Sequence, residues 1–182
     1  MTEGGRFEDV LASLVRIFQE RSVPHALIGG LAVAAWGAPR ATEDIDLLAD
    51  VNPSPELDAA FRATGFEAEW RRRDPGDPVP LLLRLCSASG PEIDVICATR
   101  DWEREMLDRA IRVRLPEGPE TPVIAVEDLV VLKLMAGGPR TSPTSPTCSN
   151  ASAPSRNWRS ARGVLDLLRR VRASTGHQLP SE

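Results

Sequence analysis

Apolar residues recur every three or four positions at Phe7, Val10, Leu11, Leu14, Val15 and Phe18, with Glu8 and Asp9 among the first of them. One apolar stripe with acids in its first turn predicts an amphipathic helix that ends before Pro24. His25-Ala26-Leu27-Ile28 is a short apolar run and reads as a buried strand. Gly29-Gly30 turns it into a small-residue helix, Leu31 to Trp36, closed by Gly37 and Pro39. Ile45 to Ala49 is the next strand, and Asn52-Pro53-Ser54-Pro55 is a loop that opens a helix through Thr64, broken by Gly65. Phe66 to Trp70 predicts a strand and Arg71 to Pro80 a polar, proline-rich loop. Leu81 to Cys86 and Glu92 to Cys97 are strands joined by a hairpin-like turn. A helix from Asp101 to Ala110, strands at Ile111 to Leu115 and Pro122 to Ala125, and a strongly apolar helix from Glu127 to Ala136 complete the pattern. Strands interleaved with helices in this order predict an α/β (α+β) domain, a mixed β-sheet flanked by helices.

The character changes after Gly137-Gly138. Residues 139–157 hold four prolines, five serines and three threonines, with no Val, Ile, Leu or Phe. Such a segment buries little and reads as a linker. Helical spacing returns at Trp158, Ala161, Val164, Leu165, Leu168 and Val171. The chain therefore divides into a domain at 1–138, a Ser/Thr/Pro-rich stretch at 139–157, and a C-terminal helical tail at 158–182.

At 182 residues and 42% hydrophobic content the chain can build one domain with a proper core. A net charge of −4 gives no general pull toward nucleic acid or membrane. Cys86, Cys97 and Cys148 are odd in number and lack metal-binding spacing, which fits reduced thiols in a cytoplasmic protein. The longest apolar stretch, Ala26 to Ala38, is too short to span a bilayer, and no signal-peptide pattern opens the chain.

Asp44-Ile45-Asp46 carries the chemistry. Two carboxylates one residue apart on a strand share a face. So close together they repel unless a cation neutralises them, and a hard ion, Mg²⁺ or Mn²⁺, suits such oxygens. Gly29 and Gly30, upstream, offer backbone N–H groups at a helix start with no side chain in the way of a phosphate. Asp94, in Glu92-Ile93-Asp94-Val95-Ile96, sits in an apolar strand, where a lone carboxylate is costly without a partner. It is either a solvated strand end or a third arm of the same metal site.

Leu27-Ile28-Gly29-Gly30-Leu31-Ala32-Val33, followed by Pro39-Arg40-Ala41-Thr42-Glu43-Asp44-Ile45-Asp46-Leu47-Leu48 and the later Ile-Asp-Val strand, resembles the polymerase-β-type nucleotidyltransferase superfamily. Within it the chain resembles the AbiEii-type and MNT-like small bacterial proteins, several of which belong to toxin–antitoxin systems. The resemblance covers residues 7 to 138. It implies the nucleotidyltransferase fold and metal-dependent transfer of a nucleotidyl group from a nucleoside triphosphate. The acceptor would be RNA, a protein hydroxyl or a small molecule. It further implies that Gly29 and Gly30 contact the triphosphate, that Asp44, Asp46 and Asp94 hold Mg²⁺ (or Mn²⁺), and that Asp94 helps activate the acceptor hydroxyl. A toxin or antitoxin partner protein also follows from it.

Arg40 and Thr42, just before the carboxylates, are candidates for nucleotide binding, Arg40 as a bidentate donor. Lys133 shares a helical stripe with Val126, Leu129 and Val130, so it either snorkels to solvent or meets a phosphate. Related nucleotidyltransferases carry a lysine on a comparable late helix. Arg71-Arg72-Arg73 reads as a solvated loop or an RNA-backbone contact. His25 is assigned no role. Two rivals stand beside the enzyme: a non-catalytic partner protein on the same fold, and a sugar-nucleotide transferase with an Asp-x-Asp site. The second gives no reason for the glycine pair.

One departure has a testable cause. The resembled group follows its lysine helix with a basic residue and an Asp-Leu-x-x-Asp helix start, absent here. Read one base earlier, with suitable synonymous codons, positions 140–150 encode Lys-Asp-Leu-Ala-Asp-Val-Ala-Asn-Leu-Leu-Gln, an apolar-periodic helix bearing that motif. The competing account is an ordinary linker. Sequencing the DNA over codons 138–157 decides between them, since codons incompatible with that helix end the frame-shift account.

Overall fold

The computed structural model describes residues 7–37, 44–74, 76–87, 90–115 and 119–136. Along the chain run α1 (Phe7–Glu20), β1 (His25–Leu27), α2 (Gly29–Ala35), β2 (Ile45–Ala49), α3 (Pro55–Ala63) and β3 (Glu67–Arg72). After them come β4 (Leu81–Cys86), β5 (Ile93–Cys97), α4 (Asp101–Asp108), β6 (Ile111–Arg114), β7 (Glu120–Val123) and α5 (Val126–Ala136). The strands form one sheet of order β3-β4-β5-β2-β1-β7-β6. β2 runs parallel to β5 and β1 parallel to β7, while the other neighbours are antiparallel. This is the mixed, helix-flanked sheet expected. Arg40 and Thr42, the 139–157 stretch and the C-terminal tail lie outside the described residues.

The apolar stripe of α1 places Val10, Leu11, Leu14, Val15, Ile17 and Phe18 in the core. Phe18 meets Phe61 of α3 edge-on at 6.1 Å, and both rings are fully buried. α3 starts where Ser54 Oγ accepts the Leu57 N–H at 3.1 Å, with Pro55 at its first position. A side-chain cap and a proline that lacks an N–H together meet the demands of a helix start. Asp58 on α3 accepts the Trp70 indole N–H at 2.8 Å, which fastens α3 to β3.

Several boundaries differ from the pattern-based expectation. α2 begins at Gly29, two residues before Leu31, because Gly29 adopts a left-handed φ of +63° that turns the chain directly into the helix. β3 extends through Arg71 and Arg72, which the polar pattern assigns to a loop, because their backbones pair with Leu82 and Leu81 of β4. Side-chain polarity does not stop the ladder on this edge strand. β7 starts at Glu120, paired with Arg114, and α4 ends at Asp108. None of the described helices is long and apolar enough to cross a membrane.

His25 opens β1 as expected, and it is 7% exposed. Its Nδ1 lies 2.8 Å from the Val23 carbonyl, which can only accept, so Nδ1 carries the proton. Nε2 is then a buried acceptor with no partner among the described residues. Burial, followed by the nearby Arg112 charge, lowers the His25 pKa from 6.5, against an opposing contribution from the Val23 carbonyl. As pH falls through 6.5 the unfolded chain takes up a proton that the folded chain refuses, so His25 removes stability below that pH. His25→Phe keeps a ring against Phe18, whose centroid lies 5.2 Å away. Urea unfolding above and below this pH should show the wild type losing more stability on acidification than His25→Phe. Equal losses would remove His25 as the cause.

Candidate active site

β1, β2, β4 and β5 bring the candidate residues to one corner of the sheet. β2 and β5 pair in parallel with Ile45 opposite Ile93 and Asp46 opposite Asp94. Residues in register on adjacent strands share a face, so Asp46 and Asp94 stand side by side on strands about 4.8 Å apart. Asp44 and Glu92 each lie two residues before Asp46 and Asp94, immediately ahead of β2 and β5. The Ile45 N–H donates to the Glu92 carbonyl at 3.0 Å, which carries the pairing to that level. The result is a lattice of carboxylates, Asp44 and Asp46 along one strand and Glu92 and Asp94 along the other.

The chain leaving β1 passes directly beneath this lattice. The Ile28 N–H donates to the Asp46 carbonyl at 3.0 Å, and Gly29 then turns into α2. A Cβ on Gly29 would lie 2.8 Å from the Asp46 Cβ, 2.7 Å from its Cγ, and closer still to the carboxylate oxygen. Both the φ and the space therefore demand glycine: the Asp46 carboxylate rests on bare backbone. Gly30 follows as the second residue of α2, whose start is capped by no side chain.

Arg84 of β4 completes the corner. Glu69 of β3 pairs with Arg84, and Arg84 pairs with Asp94. One row thus crosses four strands, Glu69–Arg84–Asp94–Asp46. Arg84 Nε donates to Asp94 Oδ1 at 2.8 Å and NH2 donates to Oδ2 at 2.9 Å, while NH1 reaches Glu92 at 2.7 Å. Hydrogen bonding to Asp94 is the main cause that holds the Arg84 guanidinium more firmly charged than usual. Glu69 is taken by Arg71, whose Nε and NH2 bind it at 2.9 and 2.8 Å. That contact lowers the Glu69 pKa and raises the Arg71 pKa. Two carboxylates about 5 Å apart repel by roughly 3 kcal/mol at an effective dielectric of 20, and a guanidinium at about 4 Å returns about 4 kcal/mol. Arg84 thus offsets part of the repulsion between Asp94 and Asp46, and solvent at this part-exposed site screens both terms.

The donors suit a hard divalent cation in kind, as carboxylates beside a backbone with no side chain. They do not form a ready-made group of three metal-binding side chains among the described residues, and both Asp94 oxygens are engaged by Arg84. Lys133 lies on α5, which packs against α2, and is only 9% exposed. It does not snorkel to solvent. Two surface concavities, around Pro24 and Arg112 and around Arg62 and Glu67, include none of these residues.

Sequence reasoning passes over Arg84 and Glu92. Both leave a signal. Arg84 interrupts Leu81-Leu82-Leu83-Arg84-Leu85 on the face shared with Leu82, and Glu92 precedes Asp94 at the same two-residue spacing as Asp44 and Asp46. The register that brings them together is not written in either strand alone.

No protein-family model and no curated protein matches the chain. Solved structures do. The antibiotic-resistance factor ANT(2'')-Ia in solution is 15% identical, with a TM-score of 0.53 over 91% of this chain and 82% of its own. The crystal structure of ANT(2'')-Ia with adenylyl-2''-tobramycin is 18% identical, with a TM-score of 0.51 over 91% of this chain and 86% of its own. The lincosamide adenylyltransferase LnuA, with lincomycin bound, is 15% identical, with a TM-score of 0.45 over 71% of this chain and 86% of its own. At such identities the likeness is one of architecture: this chain has the mixed-sheet fold of nucleotidyltransferases.

Proposed function

We propose that this protein transfers a nucleotidyl group from a nucleoside triphosphate to an acceptor hydroxyl, on RNA, a protein or a small molecule. The observation that carries the reading is the Asp46 carboxylate, in register with Asp94 and seated on the Gly29 backbone. In this reading Asp44, Asp46 and Asp94 hold Mg²⁺ or Mn²⁺, which supplies Lewis-acid charge to the triphosphate when bound. Gly29 and Gly30 let backbone N–H groups approach the phosphates. Lys133, Arg40 and Thr42 contribute further contacts to the triphosphate. The acceptor oxygen attacks the α-phosphorus, the bond to the bridging oxygen breaks, and pyrophosphate leaves. Asp94 takes the acceptor proton, a role for which it must first be free of Arg84. The names of the similar structures support antibiotic-like small molecules among the acceptors to test. The motif resemblance supports a toxin–antitoxin setting, which a neighbouring toxin-like gene would strengthen.

A second reading is a partner protein on the same fold that no longer turns over. The same ion pair favours it, because Arg84 already satisfies Asp94 without a metal. Pyrophosphate release from labelled ATP, CTP, GTP and UTP, each with Mg²⁺ or with a chelator, separates the two.

Asp44→Asn and Asp46→Asn should each lower Mg²⁺-dependent transfer by about 10²-fold or more, as loss of a key electrostatic group does. Melting temperatures should stay close to wild type, because Asn keeps the shape. Transfer at the wild-type rate in either variant would remove that residue from the site. Gly29→Ala should lose transfer and also about 1–3 kcal/mol of stability by urea unfolding, from a positive φ and an overlap with Asp46. Unchanged stability would show that the close approach is not there.

A further inference from the structure

We propose that Arg84 is a resident cation on Asp94, which a divalent metal must displace, and that Glu92 retains the displaced guanidinium. The inference rests on the metal-dependent reading above and adds a positioning residue to it.

The geometry separates the two jobs. The Nε–NH2 edge of the guanidinium covers both Asp94 oxygens, and the remaining nitrogen, NH1, binds Glu92 at 2.7 Å. Bidentate pairing of this kind is the strongest arrangement open to an arginine and a carboxylate. The other carboxylate beside Arg84 in its row, Glu69, is paired with Arg71 at 2.8 Å. The three side chains are part-exposed, 23% for Arg84, 31% for Asp94 and 35% for Glu92, so water and ions reach them and the pair can open. When it opens, Glu92 still anchors one end of the guanidinium, so the side chain swings instead of leaving.

The fork takes one lone pair on each Asp94 oxygen and lies across the edge that a bidentate metal would approach, so a metal binding there has to displace it. The apparent metal affinity is the intrinsic affinity reduced by the fraction of molecules in which Asp94 is free. If that fraction is about 10%, removing the guanidinium tightens metal binding about tenfold. Mere relief of positive charge predicts a graded effect: Arg71, one strand further but still within electrostatic reach of Asp94, would also tighten binding on removal, by less than Arg84.

Mn²⁺ binding to the full chain without nucleotide, followed by the free-ion electron paramagnetic resonance signal, reads this directly. Arg84→Met should bind Mn²⁺ about tenfold more tightly than wild type, with Arg84→Lys in between because it keeps charge but loses the fork. Arg71→Met should stay within about twofold of wild type, since it does not touch Asp94. Arg84→Met binding no tighter than wild type, or Arg71→Met tightening as much, overturns the proposal. Asp46→Asn distinguishes the two levels. Wild-type binding that depends on Asp46 but ignores Arg84 sinks only the Arg84 proposal, whereas no Asp46-dependent binding in any variant sinks the metal reading and this proposal with it. A wild-type readout covers a variant that folds poorly. The Arg84 Nε–H cross-peak in a ¹⁵N-arginine-labelled sample should shift, and exchange faster with water, as Mg²⁺ saturates the protein. A peak that Mg²⁺ leaves unchanged counts against displacement.

Discussion

The parallel register of β2 on β5 governs this corner of the molecule. Asp46 opposite Asp94 and Ile45 opposite Ile93 are one statement seen on two faces of the sheet. The fully buried residues Ile45, Leu47, Ile93 and Val95 lock that register, because a slip of one residue would drive Asp46 and Asp94 into the core and bring two apolar side chains out. The apolar face therefore sets the position of the polar one. Because the core is close-packed, the carboxylates are held without needing a ligand to gather them.

Gly29 shows the same dependence from the other side. Its positive φ and its contact with Asp46 are met only by a residue with no side chain. The strand-to-helix turn thus brings backbone, and nothing else, to the carboxylates. In a similar way the Trp70–Asp58 and Phe18–Phe61 contacts fix α3 and α1 around the sheet without entering the corner. The packing that confers stability and the groups that carry charge are spatially divided, which is why substitutions at the carboxylates can be expected to change chemistry more than folding.

Much of this is legible in the chain because the signals are local. Apolar runs bounded by turn residues mark β4 and β5, and the stripe Val10-Leu11-Leu14-Val15-Phe18 marks α1. The two-residue spacing of Asp44 and Asp46 announces a shared face by pleat geometry alone. Arg71 and Arg72 read as loop because their polarity and the proline-rich stretch beyond them outweigh a backbone pairing that only β4 supplies. Arg84 and Glu92 stay silent for a deeper reason. Their meaning lies in which residues stand across from them, and cross-strand register is set by the whole sheet. A charge inside an apolar strand says only that a partner exists; the fold says that the partner is Asp94.

Carboxylates in register on adjacent strands pose a difficulty for folding. Asp46 and Asp94 fold in register on adjacent strands, and like charges about 5 Å apart repel by roughly 3 kcal/mol at an effective dielectric of 20. A folded protein of this size holds only about 5–15 kcal/mol in reserve, so an uncompensated pair would consume part of it. Arg84 eases this by being present from the start on a neighbouring strand of the same sheet. The guanidinium offsets part of this repulsion, and its part-exposed setting keeps its hold moderate, because water and salt weaken the pairing. A fully buried Arg84 would incur a large desolvation cost and be harder to displace. The exposure of the pair is therefore the feature that lets one arginine support the folding of the corner while leaving Asp94 open to exchange, as the proposed metal role requires.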